Sequence, residues 1–150
     1  MSDRQSVEKA LSTLALPKDA LEWLVDFYEV IQGLDDWKDN DPVDDNQKQA
    51  VIYMALVNLP ANRFFRLYAD RLLPIVSNLV LKWCAANHFE EHKETEQLPK
   101  CYMWRAGFYD LVLETVACVY GYRTAIEAAP IALSLYGESL DKYLKEFNNA

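Results

Sequence analysis

The chain has 150 residues, of which 51% are hydrophobic, 13% aromatic and 25% charged, with a formal net charge of −8 at pH 7. This composition excludes a disordered chain, and the 4 glycines and 6 prolines exclude a collagen-like or loop-dominated architecture. The length favours one domain over residues 1–150, because a chain of this size can bury its own core.

Two further classes are excluded by the pattern along the chain. Charged or amide residues interrupt every apolar stretch before the roughly 20 positions that a membrane span needs. The first residues lack the apolar segment of a secretory signal. The three cysteines form no Cys-x-x-Cys pair, so we expect reduced, mostly buried thiols in a cytoplasmic protein; they are Cys84, Cys101 and Cys118.

Proline marks the expected helix boundaries. A residue before proline is pushed out of the helical region, so the Leu-Pro pairs ending at Pro17, Pro60, Pro74 and Pro99 predict breaks. Asp41-Pro42 predicts a helix start, with Asp41 as N-cap. Apolar residues recur between these breaks at spacings of three and four. In chain order the expected helices cover about Ser6–Leu14, a segment from Leu21, Pro42–Asn58, a segment after Pro60, Pro74–Asn87, Lys100–Tyr120 and a short pair broken at Gly137.

The fold class follows from these helices. We predict an all-α single compact domain of about six to eight helices. Residues 74–87 are apolar nearly all round, which predicts a buried central helix. Within Pro42–Asn58 the expected core positions are Val51, Ile52, Met54 and Ala55. Gly121 is expected to end the long helix as a left-handed C-cap, and Pro130 either kinks a helix or begins one.

Charge is concentrated in one segment. Residues 19–45 hold ten acids and one base, Lys38, so this segment carries −9 and the remaining 123 residues +1. A basic stretch follows, with Lys48, Arg63, Arg66, Arg71 and Lys82 against Asp70. A segment with mostly one sign of charge attracts molecules of the opposite charge and orients them as they approach. We predict an interaction surface formed by Glu22, Asp26, Glu29, Asp35, Asp36, Asp39, Asp41, Arg63, Arg66 and Arg105.

Two interpretations of this charge stay open. The acids can form a solvated helix face whose charge is balanced by basic residues of the same monomer or of the second copy in a dimer. They can also bind cations or a basic partner protein. Direct binding to nucleic acid is disfavoured, because phosphate contacts need clustered Lys and Arg.

The segment Asp35-Asp36-x-x-Asp39 is a candidate cation site. In a helix Asp35 and Asp39 face the same way, and carboxylates suit Mg²⁺ bound together with a phosphate substrate. The motif resembles the aspartate-rich motif of the all-α isoprenyl diphosphate synthases, in which it holds the ions that bind the diphosphate. The chain departs from that family in its shorter length and in lacking a second Asp-rich helix. A solvated loop that caps the next helix is the competing interpretation.

The segment His88-Phe89-Glu90-Glu91-His92 matches the His-x-x-Glu-His zinc pattern of the inverted zincins. In a helix His88 and His92 can share one Zn²⁺, with Glu91 near a bound water. A charged stretch and Pro99 follow at once, so a solvated helix end is the favoured interpretation. We expect zinc to bind no better than micromolar.

Arg105, Tyr109, Asp110 and Glu114 lie on the same predicted helix, and Arg105 is interpreted mainly as a structural salt-bridge donor. The sequence contains no Gly-rich phosphate loop and no Gly-x-Ser-x-Gly elbow. Enzymatic chemistry therefore depends on the aspartate and histidine motifs alone.

The order of landmarks along the chain resembles a group of small, uncharacterised helical proteins of tailed bacteriophages. The landmarks are residues 23–32, the Asp cluster, Leu59-Pro60-Ala61-Asn62-x-Phe64 and Arg105-x-x-Phe108-Tyr109-Asp110-Leu111. The resemblance implies a virion component or a host-directed inhibitor, located in the bacterial cytoplasm or the virion.

We predict a non-enzymatic interaction or virion-associated protein that presents an acidic surface to a protein partner or to a second copy of itself, with no cofactor. The alternative is a Mg²⁺-dependent enzyme that acts on a phosphate or diphosphate substrate through Asp35, Asp36 and Asp39.

Overall fold

A computed structural model describes residues 3–148 of the chain. Within this range the chain is helical and contains no strand, which confirms the all-α class. The helices are α1 (Asp3–Leu11), α2 (Lys18–Lys38), α3 (Asp45–Tyr53), α4 (Leu59–Ala61), α5 (Arg63–His92), α6 (Leu98–Trp104), α7 (Phe108–Tyr120), α8 (Tyr122–Ser134) and α9 (Leu140–Asn148). None of these helices is both long and apolar enough to cross a membrane.

The chain divides after Ala69 into two compact units. The first unit contains α1 to α4 and the beginning of α5, and the second contains the rest of α5 and α6 to α9. The backbone of Tyr68 departs from helical geometry, with φ −122° and ψ 19°, one residue before the division. A single domain over residues 1–150 stays a prediction.

The core of the first unit is built around the aromatic ring of Trp23. Trp23 is 1% exposed and stacks on Phe65, with ring centroids 5.4 Å apart and planes 9° apart. Asn62 caps α5, because its Oδ1 accepts from the N–H of Phe65 at 3.1 Å. The same side chain donates from Nδ2 to the carbonyl of Asp19 at 2.9 Å. Asn62 therefore joins the starts of α2 and α5, which brings the aromatic rings together.

Helix α3 packs against the second half of α2. Val30 of α2 forms a buried cluster with Val51 and Met54. The chain then continues through a π-helical turn, Met54–Asn58, into α4. Ile52 was predicted to be buried but is 46% exposed, because the buried row of α3 follows Val51 and Met54. Helix α3 also starts later than predicted: its N-cap is Asp44, whose Oδ1 accepts from the N–H of Gln47 at 2.8 Å.

The second unit is organised around a helical hairpin. Helices α7 and α8 pack along each other and are joined by Gly121 alone. Gly121 has φ 88° and ψ 171° and ends α7, so the predicted helix end with a positive φ is correct, but the predicted left-handed C-cap is wrong. The conformation is not the left-handed helical one, because ψ lies in a region that essentially only glycine adopts. Pro130 lies inside α8.

Three predicted boundaries are wrong. The break expected at Pro60 falls instead at Asn62, because α4 includes this proline and Asn62 is the first residue with extended backbone. The break expected at Pro74 does not occur, since α5 continues through this proline. The predicted helix Lys100–Tyr120 is interrupted by a 3₁₀ turn, Arg105–Gly107. Gly107 is buried there, and a Cβ atom on it would stand 3.1 Å from Cγ of Leu79. Close packing on α5 therefore coincides with the break between α6 and α7.

The predicted buried central helix is buried on one face only. Leu72, Leu79 and Ala86 are at most 7% exposed and recur every seven residues along α5. The opposite face is open, with Leu73 52%, Val80 43% and Leu81 65% exposed. Cys84 is also exposed, whereas the cysteines were expected to be mostly buried. The apolar character of residues 74–87 therefore exceeds what this chain covers.

Candidate interaction surface

The aspartate-rich motif lies at the carboxyl end of α2. Asn40 has φ 60° and donates its N–H to the carbonyl of Trp37 at 3.3 Å. The N–H of Asp41 reaches the carbonyl of Asp36 at 2.9 Å. These two bonds are the Schellman pattern that ends a helix. The motif is therefore the last turn of a helix and the residues just beyond it.

This placement is electrostatically unfavourable for carboxylates. The carboxyl end of a helix carries partial negative charge, so acidic side chains there lower stability. Burial raises the pKa of Asp36, and the neighbouring Asp41, Asp35 and Asp3 raise it further. The charged form of Asp36 is thus disfavoured where it stands. The sequence holds four carboxylates in seven residues of this segment.

Apolar side chains lie among these carboxylates. Leu34 is 42% and Trp37 39% exposed. The Nζ atom of Lys48 lies 5.7 Å from the centroid of the Trp37 ring, a cation–π distance. We call the set Leu34, Asp35, Asp36, Trp37, Asp39 and Asp41 the α2 carboxyl-end surface. It combines an aromatic ring that already contacts one cation with a cluster of acids.

The acids nearer the middle of α2 form salt bridges with basic residues of the same chain. Nη1 of Arg4 in α1 lies 2.8 Å from Asp26 and 2.6 Å from Glu29. Burial opposes the charge of Arg4, but its hydrogen bonds to Glu29 and Asp26 outweigh this effect, and its pKa is raised. Glu22 lies 3.8 Å from Lys18. Arg4 was not among the residues predicted from the sequence, because its partners follow only from the packing of α1 on α2.

Two bases of the predicted basic stretch are held by α7. Nη2 of Arg71 lies 2.7 Å from Glu114, and Nζ of Lys82 lies 3.5 Å from Asp110. Arg63 and Arg66 are exposed on the first turn of α5. The acids that hold these two bases lie outside residues 19–45, so these pairs do not test the interpretation that the basic stretch balances the acidic segment.

Arg105 belongs to an internal polar cluster of the second unit. Its guanidinium contacts both carboxylate oxygens of Glu90 and donates to Asn87 at 2.7 Å. Tyr143 donates its hydroxyl to the same carboxylate. The Arg105 and Glu90 side chains are 18% and 13% exposed. Arg105 is a structural salt-bridge donor, which was one of the two roles predicted for it. Because it lies in this largely buried cluster, it does not belong to an exposed interaction surface, in which it was also predicted. Its partner Glu90 was not indicated by the sequence.

Cys101, which interacts with this cluster, lines a pocket of about 80 Å³. Burial raises the pKa of the Cys101 thiol, and the charge of Glu90 raises it further. Burial and the hydrogen bond to Glu90 also raise the pKa of Tyr143. Both groups are therefore held in their neutral forms, so the thiol is a poor nucleophile here. The lining residues are Ala85, Ala86, Phe89, Gln97, Lys100, Cys101 and Trp104.

The histidine pair lies at the end of α5. The rings of His88 and His92 are 4.4 Å apart between centroids, and Nδ1 of His92 lies 2.7 Å from the carbonyl of His88. Lys93, with φ 51°, ends the helix, as expected. Within residues 3–148 the structure brings together no group of three or more His, Cys, Asp or Glu side chains that could hold a metal ion. The magnesium site and the zinc site with Glu91 stay predictions.

Comparison with known proteins identifies no relative of this chain. A scan against protein-family models, a search of curated proteins and a search of solved structures each found no match. The resemblances to bacteriophage proteins and to isoprenyl diphosphate synthases stay predictions from the sequence.

Proposed function

We propose that the protein is a non-enzymatic interaction protein that binds a basic protein partner at the α2 carboxyl-end surface. The observation that carries this proposal is the crowding of carboxylates at the carboxyl end of a helix, around the exposed Leu34 and Trp37. As part of the same proposal, the resemblance to tailed-bacteriophage proteins suggests a virion component or a host-directed inhibitor in the bacterial cytoplasm.

A basic partner is the occupant that the charges favour. Lys or Arg side chains placed near Asp36 and Asp41 would offset the repulsion between these two carboxylates and their unfavourable position at the carboxyl end of the helix. Binding would therefore recover free energy that the unbound fold lacks. Charge of this kind speeds association and selects the sign of the partner.

The apolar side chains supply the second requirement. Interfaces draw much of their affinity from aromatic anchors that become desolvated, and Trp is among the side chains enriched there. Trp37 already lies beside the Nζ atom of Lys48, which supports a ring environment that accepts cations. The partner that fits best is a basic segment with one or two large apolar side chains.

The test is to measure, by isothermal titration calorimetry at low and high salt, the binding of a synthetic helical peptide rich in Arg and Leu. We expect binding that weakens as salt is raised. Changing Asp35, Asp36 and Asp39 together to Asn should weaken it at least tenfold, and Trp37→Ala should weaken it as well. A peptide that binds the triple variant as tightly as the wild type would overturn the proposal.

A matched control separates local charge from net charge. Glu94, Glu96 and Glu146 are exposed acids outside this surface. Changing all three to Gln alters the net charge by the same amount as the aspartate variant, and it should leave binding within about twofold. A thermal-shift series with Mg²⁺, with and without pyrophosphate, examines the enzymatic alternative. A rise in Tm that requires both Mg²⁺ and pyrophosphate would favour the enzymatic alternative.

A further inference from the structure

One face of α5 in the second unit is apolar and open. The dihedral angles of α5 are helical from Asp70 to its end, since Tyr68 is the residue that departs from them. Leu73, Val80 and Leu81 are 52%, 43% and 65% exposed, and Cys84 is exposed. These positions follow one another at spacings that place them on one side of a helix. A helix that is apolar all round is normally buried on all sides. We therefore expect another molecule to cover this exposed face.

The two ends of this face carry different polar groups, a carboxylate at one end and an imidazole at the other. Asp70 lies three residues before Leu73, and His88 lies four residues after Cys84, so both continue the same face. Both side chains are exposed. They are separated by 18 residues of helix, about 27 Å at 1.5 Å per residue, and so cannot pair within one chain.

Positions of this face are complementary about the level of Leu79, a residue of the buried row on the opposite side of α5. Asp70 lies nine residues before Leu79 and His88 nine residues after it. In the same way Ser77 lies two residues before and Leu81 two residues after. Reversing the helix about this point therefore exchanges a carboxylate with an imidazole, and a small side chain with a large one. A surface that is complementary to its own reverse is what a two-fold interface requires.

We propose that a second copy of this chain packs antiparallel on this face of α5, with Asp70 of each copy against His88 of the other. Leu81 of one copy packs over Ser77 of the other, and the Leu73 side chains cover the region around the partner's Cys84. This self-association is independent of the α2 carboxyl-end surface. It explains why residues 74–87 are more apolar than one chain can cover.

Sedimentation velocity over a concentration series tests this pairing. We expect the wild type to dimerise, and Leu81→Glu to give a monomer. Asp70→Lys should weaken the dimer about tenfold. The two-fold symmetry places the new lysine of each copy beside His88 of the other, so both contacts between a carboxylate and an imidazole are lost. His88→Asp should weaken it by a similar factor, through repulsion between two carboxylates. The double variant, Asp70→Lys with His88→Asp, should return the dimerisation constant to within about threefold of the wild type.

The recovery in the double variant is the decisive outcome, because the two positions are too far apart to interact within one chain. Ile126→Glu is the control, since Ile126 is 66% exposed on α8, and it should leave the dimer intact. A wild type that stays monomeric at high concentration would overturn the proposal. So would a double variant weaker than both single variants, or a dimer that Ile126→Glu disrupts and Leu81→Glu does not.

Discussion

Gly33 of α2 lies so close to Val51 of α3 that a Cβ atom on residue 33 would stand 2.5 Å from Val51 Cγ2. Gly33 is buried, and real Cβ atoms essentially never come that close to a neighbour. This approach joins α3 to α2 just before the aspartate motif. It thereby fixes where the α2 carboxyl-end surface stands relative to α3 and Lys48.

Gly33→Ala is expected to destabilise the protein by about 1–3 kcal/mol, the usual cost of overpacking a core. The sign is informative, because alanine in a helix otherwise stabilises by about 1 kcal/mol relative to glycine. Urea unfolding measures the change. In a Val51→Ala background the same substitution should cost clearly less, and equal costs in the two backgrounds would mean that the two side chains do not meet.

Gly121→Ala is expected to destabilise the α7–α8 hairpin by about 1–3 kcal/mol, because φ 88° with ψ 171° is a conformation that other residues adopt at that cost. A Cβ atom at this position meets nothing within 4 Å, so the cost comes from the backbone alone. Gly137→Ala is the control, since Gly137 lies between α8 and α9 without a positive φ. Equal effects of the two changes on the urea midpoint would contradict this explanation.

Arg105→Met is expected to cost about 3 kcal/mol, because it leaves the carboxylate of Glu90 poorly hydrated and without its cation. Unfolding in urea at neutral pH measures this. The exposed pair of Lys145 and Asp141 on α9 provides the comparison. Lys145→Met should change stability by no more than about 0.5 kcal/mol. A similar loss in both variants would show that burial does not set the strength of the Arg105–Glu90 pair.

The period of apolar residues was enough to predict the helices, but not which faces of them are buried. Residues 74–87 show this, because a uniformly apolar segment predicts burial on all sides whether or not the chain has enough partners for it. The break at Pro74 was predicted from the steric effect of proline on Leu73. That effect only disfavours the helical region, and α5 continues through Pro74 and buries the row Leu72, Leu79 and Ala86.

The candidate site was predicted in part. The concentration of acids could be read from the sequence, whereas its place in the last turn of α2 was left open between a helix and a solvated loop. The pairing of Arg4 with Asp26 and Glu29 could not, since it depends on how α1 packs on α2. The partner of Arg105 was missed for the same reason: Glu90 is fifteen residues away, and only the packing of α5 and the 3₁₀ turn brings the two together.

Asp36→Asn is expected to stabilise the protein at pH 7, and the gain should shrink on acidification. Burial and neighbouring carboxylates raise the pKa of Asp36 in the folded state. Folding therefore favours the protonated form, so ionised Asp36 lowers stability at neutral pH. That loss disappears as the pH falls toward the ordinary aspartate pKa of about 3.9. Urea midpoints at pH 7 and pH 4 test this.

Asp45→Asn provides a control of opposite sign. Asp45 is in the first turn of α3, where a negative charge is favourable, so its removal should destabilise the protein at pH 7 by a few tenths of a kcal/mol. If both variants shift the midpoint in the same direction, net charge rather than position on the helix determines the effect.

The most direct test of the account is urea unfolding, at low salt, of the variant with Asp35, Asp36 and Asp39 all changed to Asn. On the proposed function, these carboxylates form a surface kept for binding at a cost in stability. We therefore expect a midpoint above that of the wild type and a gain of about 0.5–2 kcal/mol, scaled from like-charge and helix-dipole costs of a few tenths each. A midpoint below that of the wild type would mean that the three aspartates hold the fold together, and it would contradict the proposed interaction surface.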